Sequence, residues 1–227
     1  MIALSWSRLS DYTQCPRKFM LKYISKSFPP EDQKSIHLVK GEQLHKQLED
    51  YVIAKNGQAP MPLGFSNEVK GALPYVDKLF AKYSAVYPEA QVAADVAWRP
   101  TDWFGKDTAW RSIWDVVGMS NDEVFIGDWK SGKIYPYGDG YGQLHLSCVM
   151  ALERFDAATE VTAAYVYIEH RHVHPVKVTR GDLPKVKGHF EELFDQVQGE
   201  KTWDPKQNDN CKWCPATKSQ CQFSRKL

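Results

Sequence analysis

The sequence has no run of apolar residues long enough to span a bilayer, no internal repeat and no low-complexity tract. Its opening residues, Met1-Ile2-Ala3-Leu4-Ser5, pass directly into polar sequence rather than the apolar core of a signal peptide, so a cytoplasmic location and no membrane contact are expected. Charge of one sign is also missing. The formal net charge is +1, so any binding to a polyanion has to come from local patches rather than a global field. Cysteine is scarce, with five in 227 residues, and in a reducing compartment those five suggest metal or cluster ligation before disulfides. What remains is ordinary for a globular chain: 43% hydrophobic and 25% charged residues, enough to bury a sizeable core.

The pattern begins with helices. Leu4 to Pro16 reads as a short helix, and Pro16 can open a second over Arg17 to Ile24. After the Pro29-Pro30 break, Ile36 to Ala54 is amphipathic, with Gly41, His45, Leu48 and Val52 on one inward face. A further helix is expected from Asn67 to Tyr87, with a kink at Pro74. Strands then follow over Gln91–Arg99, Trp110–Gly118 and Val124–Lys130. A helix from Tyr141 to Phe155 comes next, then strands over Val161–Glu169 and Val173–Val178, and a closing helix from Asp182 to Val197.

The most informative stretch is the hairpin of the second and third strands. If Asn121-Asp122 forms its turn, residues pair where their numbers sum to 243. Asp115 then lies opposite Asp128, and two carboxylates so placed call for a cation between them. Lys130 shares the face of Asp128 by the strand's period of two. Trp114 and Trp129 are expected to pack together on the other face.

The last stretch, Lys201 to Leu227, has almost no apolar periodicity and needs something other than burial to order it. It holds Cys211, Cys214 and Cys221. Two thiolates spaced by two residues clamp a metal centre from one turn, and Cys221 adds a third. Cys15, at a Cys-Pro corner with basic flanks, is a better fourth ligand than Cys148, which reads as a buried mid-helix thiol. Spacing alone does not separate zinc from an iron–sulfur cluster. Taken alone, His45 is best read as a core histidine. Basic residues at Arg17, Lys18, Lys22 and Lys26, from His170 to Arg180, and at Lys212, Lys218, Arg225 and Lys226 suit either phosphate tracking or a solvated surface.

Together these motifs carry a resemblance. Ser7…Tyr12…Cys15-Pro16, Gly41…His45, Asp115, Asp128-Trp129-Lys130 and the cysteine triplet occur in the order found in the RecB-like branch of the PD-(D/E)xK nucleases. The chain resembles in particular the iron–sulfur exonucleases of CRISPR adaptation and the AddB-type nuclease domain. The resemblance implies an α/β, restriction-endonuclease-like mixed sheet flanked by helices. Residues 1–200 would form the nuclease core, and 201–227 a cysteine-rich segment joined to it through Cys15. It makes His45, Asp115, Asp128 and the Trp129 carbonyl ligands of Mg²⁺ or Mn²⁺. Lys130 becomes the residue that orients the attacking water, and Gln143 a support of the site and nucleic acid. Cys15, Cys211, Cys214 and Cys221 become ligands of a 4Fe-4S cluster. The family's Gln-x-x-x-Tyr motif is incomplete, because Ser147 stands where Tyr is usual. The implied activity is exonucleolytic cleavage of single-stranded DNA, with recombination or CRISPR-adaptation proteins as partners. The competing expectation is a non-catalytic DNA-binding module of the same fold.

Overall fold

A computed structural model describes residues 1–28, 35–134 and 140–225. The Pro29-Pro30 break, residues 135–139 and Lys226 lie outside the described residues. Helix α1 (Trp6–Gln14) stops at Cys15, whose extended backbone turns the chain into α2 (Pro16–Phe19). Pro16 occupies the first turn of α2, where its missing N–H leaves no helical bond unmade. The helix then widens into a π-helical turn, Met20–Ile24. Helices α3 (Ile36–Lys55) and α4 (Asn67–Lys82) each open on a serine. The hydroxyls of Ser35 and Ser66 accept the N–H groups of Leu38 and Val69. Pro74 lies inside α4.

The expected extension of α4 to Tyr87 does not occur. Tyr83 is already extended, and β1 runs over Ala85–Ala94 rather than Gln91–Arg99. Val86 and Tyr87 favour a strand and find partners in Gly118 and Val117. At the other end the Asp95 carboxylate accepts the N–H groups of Ala97 and Arg99, and Trp98 adopts φ 65°, so the chain turns where a strand is expected.

Strands β2 (Trp110–Met119) and β3 (Glu123–Lys130) form the expected hairpin, with the Ser120 N–H donating to the Glu123 carbonyl. Their register runs from Met119 opposite Val124 to Val116 opposite Gly127, each pair summing to 243. Helix α5 (Gln143–Arg154) carries the chain to β4 (Glu160–Tyr167), which lies parallel to β3, as a helical crossover allows. Strand β5 (His172–Thr179) adds antiparallel at the edge, and α6 (Leu183–Gly199) closes the described fold. The sheet order is β1-β2-β3-β4-β5. This is the mixed, helix-flanked sheet that the resemblance implies.

Each face of the sheet has its own core. Leu44, Leu48 and Val52 of α3 pack with Val69, Ala72 and Val76 of α4 against Val116, Trp129 and Val166. On the other face α1, α2, α5 and α6 bring Leu9, Phe19, Leu146 and Phe190 against Trp110, Trp114, Ile126 and Val161. A fully buried Leu or Phe in these layers contributes roughly 1.5–3 kcal/mol. Trp203 of the last segment stacks on Phe19, with centroids 5.7 Å apart and planes within 4°. That segment is thus anchored by one aromatic despite its lack of periodicity.

One expectation about the hairpin fails. Trp114 and Trp129 lie in opposite layers and do not form a packing pair. Trp114 and Val116 are two residues apart, yet they too face opposite layers, so alternation breaks at Asp115. The same step occurs in β1. The ladder pairs Pro88 with Val116 and Ala90 with Trp114, and skips Glu89 and Asp115 between them. Pro88 has no N–H to donate to the ladder, which makes this a natural point for the strand to change face.

Candidate active site

The β2–β3 ladder ends at Val116 and Gly127, one step short of the acidic residues. There the Asp115 carboxylate accepts the backbone N–H of Trp129 at 2.7 Å, taking a donor that would otherwise lack its ladder partner. Asp115 therefore sits in the gap where the two strands stop pairing. It is not stacked directly across from Asp128 as the register alone predicts. Removing the ladder bond spares two carboxylates a face-to-face position in which they would repel.

His45 approaches from α3. Its Nδ1 lies 3.5 Å from Asp115 Oδ2, beside the backbone of Trp129. Burial alone would push the imidazole towards neutrality. The Asp115 carboxylate, the nearby Asp128 and the Trp129 backbone overcome this and raise its pKa above the ordinary histidine value. Gly41, one turn earlier, sets this approach. A Cβ there would lie 3.0 Å from Ser131 Oγ, at the end of β3. The Gly41…His45 spacing thus has a steric basis: the glycine lets the helix come close enough for the histidine to reach the strand.

Asp128 faces the other layer, on the side of Ile126 and α5. It is 9% exposed. Lys130 Nζ lies 2.9 Å from both of its oxygens, and the Gln143 amide donates to Oδ2 at 2.7 Å. Burial raises the Asp128 pKa, Lys130 opposes that and Asp115 adds to it. Gln143 is the first residue of α5, so that helix's entry point is tied to the carboxylate. Ser147 lies one turn further on and is buried in the helix interior.

Sequence reasoning missed Tyr165. In the parallel β3–β4 register Tyr165 is the neighbour of Asp128. Its hydroxyl donates to Gln143 Oε1 at 3.4 Å, and Lys130 Nζ sits 4.7 Å from its ring centre. A phenol thus meets Gln143 after all, supplied from β4 rather than from the position of Ser147.

The donor set at this point fits a hard divalent cation. It offers two carboxylates, one deeply buried and raised in pKa, with an imidazole and a backbone group beside them. As arranged, the donors engage one another and Lys130. No three His, Cys, Asp or Glu side chains among the described residues are arranged to hold a metal ion.

The same holds for the cysteines. All five are unbridged. Cys15, Cys211, Cys214 and Cys221 line one pocket between the α1–α2 corner and the last segment, together with Arg17, Lys18 and Lys206. The Lys206 and Asn208 N–H groups donate to the sulfurs of Cys15 and Cys211, both at 3.4 Å. Cys148 is fully buried in α5, and burial pushes its pKa up to about 12, so it is the inert core thiol expected.

Several basic residues considered for nucleic-acid contact have structural partners instead. Lys18 and Lys22 pair with Asp11 at 2.6 and 2.8 Å. Lys177 pairs with Glu160, and Arg180 donates to the carbonyls of Leu152, Phe155 and Asp156 around the end of α5. No helix among the described residues is long and apolar enough to cross a membrane.

Comparison with known proteins agrees with this geometry. A search of curated proteins finds no match. Among solved structures, a protein from Eubacterium rectale described as a candidate exonuclease is similar at a TM-score of 0.51 and 14% identity, over 93% of this chain and 86% of that one. A second, SSO0001, aligns at a TM-score of 0.39 and 12% identity, over 91% and 81% of the two chains. The first shows a shared fold. Residues 3–222 match the model of the PD-(D/E)XK nuclease superfamily. With nearly the whole length matched and the sheet arranged as above, the chain belongs to the PD-(D/E)XK nuclease superfamily.

Proposed function

We propose that this chain is a metal-dependent deoxyribonuclease that hydrolyses phosphodiester bonds at single-stranded DNA ends. The observation that carries the reading is the meeting of His45, Asp115, Asp128, Lys130 and Gln143 where β2 and β3 part. Asp115, Asp128, His45 and the Trp129 carbonyl are the residues that would hold Mg²⁺ or Mn²⁺, the imidazole tilting the preference towards Mn²⁺. Such an ion supplies an activated water and neutralises charge building on the phosphate. Lys130, 2.9 Å from Asp128, would orient that water and stabilise the developing charge. Gln143 and Tyr165 hold Asp128 and Lys130 in position, and the buried setting of Asp128 limits access of bulk water. Action at ends, rather than within a strand, is supported by the description of the Eubacterium rectale protein as a candidate exonuclease. The cellular setting, DNA recombination or CRISPR adaptation, rests on the resemblance of the motifs.

The same reading assigns Cys15, Cys211, Cys214 and Cys221 to a 4Fe-4S cluster, with zinc as the alternative. In either case the group would staple residues 201–227 to the core of residues 1–200. The shared pocket and the N–H groups aimed at two sulfurs support it.

Labelled single-stranded and duplex DNA, incubated with anaerobically purified protein and Mn²⁺, Mg²⁺ or EDTA, tests the activity. Metal-dependent shortening of single strands is expected, and labels at either end give polarity. Binding without cleavage under every metal overturns the enzyme and favours a DNA-binding module. Iron and acid-labile sulfide assays test the cluster: both should fall in Cys211→Ser and persist in Cys148→Ala. Stoichiometric zinc without iron would replace the cluster by a zinc site.

A further inference from the structure

A groove opens between the start of α1 and β2. Ser5, Ser7, Arg8, Trp103, Arg111 and Gln143 line it, and Gln143 is the residue whose amide holds Asp128. The groove therefore adjoins the carboxylates without containing them.

Two arginines give it its character. Arg8 donates to the Ala3 carbonyl and lies 5.0 Å from the centre of the Tyr23 ring. Arg111 lies over the rings of Trp103 and Phe104 at 5.4 and 5.5 Å, and its Nε is buried with no acceptor among the described residues. No carboxylate among the described residues forms an ion pair with either. Burial lowers the Arg8 pKa, the Tyr23 phenol opposes that, and the Arg111 charge lowers it further, so the two guanidiniums sense each other. Lys18 and Lys22 of the neighbouring helices, by contrast, share the carboxylate of Asp11. Like charges held together beside an unfilled donor call for an anion.

A phosphodiester suits this pair. Guanidiniums present planar forks of donors matched to phosphate oxygens. The Ser5 and Ser7 hydroxyls, bonded to each other at 3.0 Å and capping no N–H of α1, lie beside them. Phe104 is 84% exposed at the turn that also carries Trp103. Unpaired bases stack on such rings, whereas a duplex keeps its bases turned inward.

We propose that this groove is a phosphate-binding subsite for single-stranded DNA, in which Arg8 and Arg111 contact backbone phosphates next to the one that is cut. The position of these phosphates beside a cleaved one rests on the nuclease reading. The binding does not.

Anisotropy of a labelled oligodeoxynucleotide in EDTA, between about 50 and about 200 mM salt, tests it without cleavage. Arg8→Gln and Arg111→Gln should each reduce the slope of log affinity against log salt by roughly 0.7 and weaken binding about fivefold at 0.1 M salt. Arg8→Lys and Arg111→Lys, which keep the charge, should retain most of the slope. Glutamine variants that melt like the unmodified protein and bind with its slope and affinity overturn the subsite. If binding depends on the arginines but no metal supports cleavage, the subsite stands and the nuclease reading falls. Cleavage with arginine-independent binding does the reverse.

Discussion

The carboxylate of Asp115 accepts the backbone N–H of Trp129 at 2.7 Å, one residue beyond the last paired step of β2 and β3. A side chain takes over from the ladder, and the same side chain brings negative charge to His45. These two roles separate on substitution. Asp115→Asn keeps an oxygen acceptor for Trp129 and removes the charge. Its melting temperature should stay close to that of the unmodified protein while DNA cleavage falls by about 100-fold or more. Asp115→Ala loses both roles and should cost a further ~1–3 kcal/mol of stability, because a buried N–H is left without a partner. Denaturant unfolding of the two variants checks this. Equal stability would mean that the Trp129 bond has no structural weight.

Tyr165 touches both Gln143 and Lys130 through different parts of one ring. Burial, with Asp128 nearby, raises the pKa of its hydroxyl, so it stays a neutral donor across the working pH range. Tyr165→Phe deletes the bond to Gln143 and leaves the ring under Lys130. A fall in kcat of roughly 3- to 10-fold is expected, in keeping with loss of one hydrogen bond of about 1 kcal/mol. Tyr165→Leu also removes the cation–π contact, worth about 0.5–2 kcal/mol, and should lose more. If the two variants are equally active, the ring does not position Lys130.

The contrast between Asp115 and Tyr165 marks what was legible in the sequence. The β2–β3 register follows from one turn at Asn121-Asp122, a local feature, so the pairing rule was readable and correct. The facing of Trp114 was not, because alternation breaks where Pro88 and Glu89 of β1 lie against β2. The start of β1 was itself hidden by apolar residues that also suit the end of a helix. Tyr165 was out of reach for a different reason. Its place beside Asp128 depends on the parallel pairing of β3 with β4, set by a crossover helix rather than by any local signal. His45 was legible only through Gly41 and the companion motifs, since a lone histidine on a helix face carries no chemistry by itself. Charge counting likewise could not tell that Arg180 is consumed by carbonyls around the end of α5 while Arg111 Nε is left without an acceptor among the described residues.

Asp11 links the N-terminal helices through Lys18, Lys22 and the Tyr23 hydroxyl, at 2.6, 2.8 and 2.7 Å. Burial alone would raise its pKa, but these three donors hold it below the usual carboxylate value. A carboxylate depressed in the folded state stabilises it above the unfolded-state pKa of about 4. That contribution is lost as the pH falls through the lower folded-state value. Asp11→Asn should therefore cost about 1–3 kcal/mol near neutrality and flatten the loss of stability on acidification. Urea unfolding at pH values from about 7 down to about 3 measures both. An Asn variant with the unmodified protein's acid slope would assign that slope to other carboxylates.

Gly41 sits in the interior of α3, where alanine is the better helix former by about 1 kcal/mol. Propensity alone predicts that Gly41→Ala stabilises the protein. The built Cβ, however, meets Ser131 Oγ at 3.0 Å, so either Ser131 gives way or α3 moves off the end of β3. Ser131 lies just past the end of β3 and its side chain is short, which keeps the thermal cost within about 1 kcal/mol either way. Movement of α3 is felt elsewhere, because His45 sits one turn on and lies 3.5 Å from Asp115. Gly41→Ala is thus expected to leave stability nearly unchanged and to lower cleavage by roughly 10-fold or more, as misplacement of a site residue does. Replacing Ser131 by glycine in the same chain removes the clashing atom and should restore much of the activity, a coupling readable from a double-mutant cycle. Activity in Gly41→Ala equal to that of the unmodified protein would mean that the close approach of α3 is not what places His45.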